Sequence, residues 1–391
     1  MKLFGNITAA VVVALALTAC SSKEKLVLPD VQNSINPKKV WQSKVGKGVA
    51  HYESGLKPVI VADKVYAASR DGIVVAKNLV NGRTLWSFDL RNEGETSLLA
   101  RFSGDSARIA GGVTFNNNTL YLGTEDGEVF ALNAETGALL WRVPVKGEVI
   151  ASPAVGEGLL VVATTAGTLI ALDPETGEQR WTFDDEQPAL TIRGVSEPVI
   201  EAGGVIYGSG TGRVGVLIAD RGYQAWEEAI ASPQGSTDLS RLVDVDAKPI
   251  VVAGTLYTIA YNGELVAMEL RSGRQLWKRD YASFRNMVVA GNILYLVDST
   301  GGIYAVDRRN GSELWGQQGL QRHFLTGPTV YKDYLVVGDN KGNLHWLNRD
   351  SGEFVARQSL DGSGFYREAV ANDDYILVTS RNGELVLLQV P

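Results

Sequence analysis

Leu159-Leu-Val-Val-Ala-Thr-Thr-Ala-Gly167-Thr-Leu-Ile-Ala-Leu-Asp-Pro-Glu-Thr-Gly177-Glu-Gln-Arg-Trp181-Thr-Phe183 is the stretch from which the fold is read. Residues 159–163 are an apolar run with β-branched members, and residues 164–167 make a turn. Residues 168–173 form the next strand, and Pro174-Glu-Thr-Gly177 turns the chain again. Residues 179–183 then alternate as a half-buried strand. Upstream, Ser152-Pro-Ala-Val155 supplies a first strand, with proline tolerated at its start. The unit is therefore four antiparallel strands. Glycine suits both turns because tight hairpins need positive φ at one position.

The same two glycines, ten residues apart, recur along the chain. The pairs are Gly72/Gly82, Gly127/Gly137, Gly167/Gly177, Gly212/Gly222, Gly263/Gly273, Gly301/Gly311 and Gly342/Gly352. Gly383 leads an eighth unit whose second glycine is missing. Trp86, Trp141, Trp181, Trp226, Trp277 and Trp315 each follow the second glycine by four residues. A period of about 40–50 residues with short strands and turn glycines is the pattern of a β-propeller. The units span residues 58–88, 110–143, 150–183, 195–228, 245–279, 284–316, 324–357 and 365–390. The last has three strands, and Val40-Trp-Gln-Ser-Lys-Val45 reads as a fourth strand without a blade. The expected fold is all-β: an eight-bladed β-propeller of four-stranded antiparallel blades, its ring closed by the N-terminal strand joining the C-terminal blade. Closure removes open sheet edges. The tryptophans read as packing between neighbouring blades, since an indole carries a large apolar area. The seventh unit has Ala356 where the Trp is expected. Phe354 and Trp346 are the two candidates to supply the missing bulk.

The N-terminus reads as a targeting segment. Lys2 precedes an apolar stretch over residues 7–19 that is too short to span a bilayer as a helix. It ends in Leu17-Thr-Ala-Cys20, which is similar to the lipobox of bacterial lipoproteins, so Cys20 is the expected lipidation site. Cys20 is the only cysteine among 391 residues, which excludes an intramolecular disulfide. A chain without disulfides holds itself by its core, and this one is long enough to do so. The expected domains are a signal peptide at 1–19, a lipidated cysteine and flexible tether at 20–39, and the propeller at 40–391. Without Lys2, 36 basic residues face 44 acidic ones, a formal −8. That balance excludes nucleic acid as the natural partner, because phosphate binding draws on clustered Lys and Arg. The absence of Asp after Cys20 points, by resemblance to bacterial lipoproteins, to the outer membrane.

The sequence offers no catalytic residues, no cofactor site and no metal site. His51, His323 and His345 lie in unrelated units without metal-ligand spacing and read as surface or packing residues. Gly208-Ser-Gly-Thr-Gly212 joins two strands and opens no helix, so it reads as a hairpin. Segments such as Ala171 to Trp181 resemble the repeat of pyrroloquinoline quinone dehydrogenases, which are also eight-bladed propellers. That likeness covers the blade skeleton. Their vicinal disulfide needs two cysteines, and their cofactor-site insertions are absent from the sequence. A quinone-dependent dehydrogenase and a small-ligand-binding periplasmic propeller stand as alternatives to a scaffold.

Where blades are scaffold, function sits in connections that depart from the repeat. One is the insertion at 90–109, with Leu98-Leu-Ala-Arg-Phe102 inside it. The other combines Pro188-Ala-Leu-Thr-Ile-Arg-Gly194, before the fourth unit, with Leu239-Ser-Arg-Leu-Val-Asp-Val-Asp246, before the fifth. Loops before successive blades emerge on one face, so these two are expected to be neighbours. Alternating apolar residues beside an Arg, next to alternating carboxylates, form a pattern for protein docking. The plainer reading is that Leu190 and Ile192 begin a buried strand and Arg193 pairs internally with an Asp.

A lipobox, a short tether and eight such blades resemble the BamB family of outer-membrane protein assembly factors. The specific matches are the two loops just quoted, Ala260-Tyr-Asn-Gly-Glu-Leu265, Leu270-Arg-Ser-Gly-Arg-Gln-Leu-Trp-Lys278 and Val337-Gly-Asp-Asn-Lys-Gly-Asn-Leu-His-Trp346. The resemblance implies a non-catalytic scaffold of the β-barrel assembly machinery, lipid-anchored in the outer membrane and facing the periplasm. It implies the POTRA domains of the barrel subunit BamA and other subunits of the machinery as partners, with nascent outer-membrane proteins as passing clients. Carried across residue by residue, the partner-binding set is Leu190, Ile192, Arg193, Asp244 and Asp246. Leu190 and Ile192 would supply apolar contact and Arg193 a planar donor. Asp244 and Asp246 would either meet partner cations or orient Arg193.

Overall fold

The second glycine of every pair stands at a left-handed φ between 68° and 74°, inside a hairpin that carries the third strand of a sheet into the fourth. The first glycines are left-handed too, except Gly263, where the preceding Asn262 takes the positive φ instead. Asparagine tolerates that region better than other side chains. The computed structural model describes residues 26–92, 106–188, 190–191, 194–234, 236–238 and 241–390. Among them lie eight four-stranded antiparallel sheets, each built from sequence-consecutive strands except the last. Blade three, for example, runs Ala154–Gly156, Leu159–Ala163, Thr168–Leu172 and Gln179–Asp184 from the axis outward. Its two middle strands are buried at every position. This is a β-propeller of eight blades. Blade eight joins the two ends of the chain. Its inner strands are Val370–Ala371, Ile376–Thr379 and Glu384–Gln389, and its outermost strand is Lys38–Lys44, paired antiparallel to Glu384–Gln389.

The core is a series of clusters in the seams between blades, and each tryptophan belongs to a seam. Trp141 Nε1 donates to the carbonyl of Pro174 in blade three, and Trp277 Nε1 to that of Arg308 in blade six, both at 3.1 Å. A tyrosine on the blade's second strand often reaches the same carbonyl. Tyr121 Oη donates to Pro174 at 3.1 Å, and Tyr257 Oη to Arg308 at 3.0 Å. The glycines complete the device. A methyl group on Gly177 would come within 2.8 Å of the Trp141 ring, and one on Gly311 within 2.7 Å of Trp277. All seven second glycines face the indole of the preceding blade in this way, Gly82 meeting Trp41 of the closing strand. The second glycine thus serves twice, as a left-handed turn residue and as the floor on which the neighbour's indole lies.

Blade seven departs from this rule. In blades one, two, three, five and six the Trp pairs across the sheet with an alanine, such as Ala171 with Trp181 or Ala267 with Trp277. In blade seven the order is reversed, Trp346 on the third strand facing Ala356 on the fourth. The bulk expected of position 356 is therefore supplied by Trp346, which is fully buried against Tyr331 and Tyr334. The reason lies in the next blade. Blade eight takes its fourth strand from Lys38–Lys44, so it has no hairpin between third and fourth strands and no second glycine to form a floor for an indole from blade seven. Tyr331 Oη makes the corresponding cross-blade bond without an indole beside it, to the Asp374 carbonyl at 2.6 Å.

The segment ahead of the closing strand is also placed. The strand begins at Lys38, two residues before the expected boundary, and residues 28–37 cross the outer edge of blade seven as a strap. Ser34 N–H donates to the Val355 carbonyl at 2.8 Å. Arg357 N–H donates to Asn33 Oδ1 at 2.9 Å, and its guanidinium to the Pro29 carbonyl at 2.6 Å. Leu28 packs into the seam of blades six and seven, and Ile35 into that of seven and eight. Beneath the strap, Arg357 donates to His345 Nδ1 at 3.4 Å, leaving Nε2 to donate to Asp339 at 3.0 Å. Burial alone would raise the Asp339 carboxyl, but bonds from His345 and Asn343 hold it at about 2. His345 is thus a packing residue with both ring nitrogens engaged.

The indole–glycine contact gives a testable coupling. Gly177→Ala should cost about 3 kcal/mol, adding a left-handed alanine to an overpacked seam. With Trp141 already replaced by Ala the collision is gone, and the same change should cost only about 1–2 kcal/mol. Urea unfolding of the four proteins measures the difference, and additive costs would contradict the contact.

Candidate functional site

Val245 decides how the 241–246 loop lies. It is fully buried in the seam of blades four and five, and its N–H donates to the Ser209 carbonyl at 3.1 Å. The alternation of the sequence then turns Asp244 and Asp246 to the opposite side. There they line a cleft of about 300 Å³ between blades three and four, together with Asp185, Thr191, Gly194 and Tyr207. The two loops expected to be neighbours are in contact. A methyl group on Gly194 would collide with the Asp246 carboxylate, and Ser196 Oγ donates to the Ala247 carbonyl at 3.3 Å. Glycine at 194 is what lets the loops close on each other.

Within this cleft the expected binding residues divide. Leu190 is 53% exposed, and the first strand of blade four does not begin until Val199, so Leu190 is not the start of a buried strand. Asp244 is 1% exposed and faces inward. Asp246 is partly buried; loss of solvent and the neighbouring Asp244 push its carboxyl up to about 8, against an opposing pull from Arg367. Ile192 and Arg193 lie outside the described residues, as do Cys20 and most of the 90–109 insertion. Among the described residues no group of three or more His, Cys, Asp or Glu is arranged to hold a metal ion.

The axis holds a second feature that the sequence reading missed. One repeat position lies two residues ahead of the first strand in seven blades, and within the longer first strand Ile109–Asn116 in blade two: Lys57, Gly112, Ser152, Glu197, Lys248, Asn286, Gly327 and Glu368. Folding gathers these into a collar. Lys57 Nζ lies 2.9 Å from Glu368 Oε1, which also accepts from Asn286 Nδ2 at 3.1 Å. Lys248 N–H donates to Asn286 Oδ1 at 2.8 Å, while its Nζ stands 3.5 Å from Glu197. Ser152 Oγ meets the other Glu197 oxygen at 3.3 Å. Burial would raise the Glu368 carboxyl, but Lys57 and Arg367 hold it well below the usual carboxylate range. The signal was present as Lys57-Pro, Ser152-Pro, Glu197-Pro and Lys248-Pro, a polar residue before proline at one repeat position. Arg367, next to Glu368, donates to the Ser54 carbonyl at 2.7 Å and also acts on Asp246, so the collar and the cleft share one electrostatic neighbourhood.

A closed propeller frame that gathers its irregular loops ahead of blades four and five is a repeat-built β-propeller whose variable surface is its loops. The family model described as "Outer membrane protein assembly factor BamB" matches residues 81–317 and 299–390. The chain is 45% identical to the outer membrane protein assembly factor BamB of Vibrio cholerae over 100% of its own length and 99% of that protein. The crystal structure of BamB from Moraxella catarrhalis superposes with a TM-score of 0.79 at 25% identity, covering 90% of this chain and 100% of the other. A europium-containing methanol dehydrogenase superposes with a TM-score of 0.71 at 13% identity, over 92% of this chain and 95% of the other, which shows the shared fold alone. The chain belongs to the BamB family of outer membrane protein assembly factors.

Removing one member of the partly buried collar pair strands the other. Lys57→Ala should cost about 1–3 kcal/mol, less than for a fully buried pair because Lys57 keeps some contact with solvent, while the double replacement Lys57→Met with Glu368→Leu should recover most of that loss. Chemical denaturation distinguishes the two. The cleft gives a pH dependence. An ordinary aspartate titrates near 3.9, so between about 4 and 8 folded Asp246 keeps a proton that the unfolded chain has released. The resulting stability is full below about 4 and is lost as pH rises through 8. Asp246→Asn should therefore raise the melting temperature at pH 8 and raise it less at pH 5. A gain that grows on acidification would contradict the buried carboxyl.

Proposed function

We propose that this BamB-family chain is a non-catalytic scaffold of the β-barrel assembly machinery, carried on a lipid at Cys20 and facing the periplasm. Its docking site for the POTRA domains of BamA is formed by the loops ahead of blades four and five. The observation that carries this reading is the convergence of those loops, with Leu190 exposed at the rim and Asp244 and Asp246 beneath it. An exposed leucine beside a desolvated polar cleft is the arrangement of an interface anchor with a polar surround. The depth of the two carboxylates favours orienting Arg193 over meeting partner cations directly. Asp244 is the more committed to that role, since it is almost wholly inaccessible. In the same reading, nascent outer-membrane strands pair with outer blade edges. The strap already engages the edge of blade seven at Val355 and Arg357, which removes that blade from such pairing.

The test uses capture of the BamA periplasmic region by the purified protein. Leu190→Glu, at an exposed position, and Arg193→Ala should each abolish capture while the melting temperature stays within about 2 °C of wild type. Undiminished capture by both folded variants would overturn the site.

A further inference from the structure

The strap fixes where the chain enters the propeller, and with it which part of the disc can approach a membrane. Residues 33 and 34 are bonded to the outermost strand of blade seven, Phe354–Ser359, so the chain enters at the circumference. Leu28 anchors the entry point in the seam of blades six and seven, and ahead of it Leu26 and Val27 are 46% and 78% exposed. From Cys20 to Leu28 is eight residue steps, which span at most about 28 Å even when fully extended. A compact domain of this length is about 50 Å across. The leash is therefore shorter than the disc is wide. In a ring of eight, the blade opposite the seventh is the third.

We propose that the outer edge of blade seven, crossed by the strap, is the part of the propeller turned toward the lipid bilayer, with blades three and four held on the far side. The inference rests on the reading that Cys20 carries the lipid, and it adds an orientation to that reading. It puts the cleft lined by Asp244 and Asp246 at the end of the molecule most distant from the membrane, open to partners in the aqueous space. The strap's own contacts set the orientation: a free tether of residues 20–37 would reach about 60 Å and allow any edge to face the lipid.

Two equivalent turn positions test this. Glu353 and Glu178 each follow the second glycine of their unit, in blades seven and three, and both are exposed. Glu353→Cys and Glu178→Cys would be made in the full lipoprotein, labelled with a donor dye through the new thiol and held on phosphatidylethanolamine–phosphatidylglycerol vesicles containing an acceptor-labelled lipid. Energy transfer should be severalfold stronger from position 353 than from 178. Releasing the strap with Leu28→Asp and Ile35→Asp should bring the two toward equality. Equal transfer from both positions in the strapped protein, stronger transfer from 178, or a difference that survives strap release would overturn the proposal. The unsubstituted protein separates this from the reading beneath it. Cys20 is the only native cysteine, so if the unsubstituted protein takes up dye and fails to bind vesicles, the lipidation has failed rather than the orientation.

Discussion

The indole of one blade lying on the glycine of the next is the contact on which the ring depends. It combines three requirements at one point. The hairpin needs a left-handed residue, the indole needs a flat surface free of a Cβ, and the indole N–H needs a carbonyl. The second glycine supplies the first two, and the adjacent turn backbone supplies the third. Each blade is therefore incomplete without its successor, and the order of blades is enforced by chemistry that repeats around the ring. Blade seven shows the rule by its exception. With no second glycine available in blade eight, the tryptophan moves to the third strand and its alanine partner to the fourth. The volume of the pair is kept while its projection into the next seam is withdrawn.

The collar and the cleft both lie ahead of the first strands, on the same side of the blades. The collar of Lys57, Ser152, Glu197, Lys248, Asn286 and Glu368 links blades one, three, four, five, six and eight around the axis through charged and hydrogen-bonded groups. Partly screened ion pairs of this sort contribute little net stability, yet each partner is costly to leave alone. The cleft next to the collar uses the same ingredients differently. Asp244 and Asp246 lie close together with limited access to solvent, and one of them holds its proton to an unusually high pH. A surface with such a group is tuned by its neighbours, Arg367 and Glu53 among them, rather than by sequence position alone.

Most of the frame was legible in the sequence because turns and seams obey local rules. The glycine spacing gave the hairpins, the tryptophan spacing gave the seams, and the stray strand at the N-terminus matched the missing one at the C-terminus. Position 356 was legible only as an anomaly. Its explanation needed the neighbour relation between blades seven and eight, which no single repeat contains. The collar was written in the sequence as a polar residue before proline, but its pairing of Lys57 with Glu368 joins residues more than 300 positions apart. For the candidate site, the adjacency of the two loops followed from topology. The burial of Asp244 did not, since a strict alternation of Val and Asp says which residues share a side and not which side faces water. Residues 28–37, inside the expected tether at 20–39, lack periodicity. Their binding to blade seven comes from single anchors, Leu28, Asn33 and Ile35, which periodicity cannot detect.

Blade eight is assembled from Lys38–Lys44 and Val370–Gln389, the first and last strands of the domain. The residues between them must all be in place before that blade exists, and every other blade leans on a neighbour. A chain synthesised N-terminus first therefore holds its earliest strand without a partner until its final strand has emerged. The ring is a record of a finished chain: only one made through its last strand can close, and a truncated one keeps two open edges.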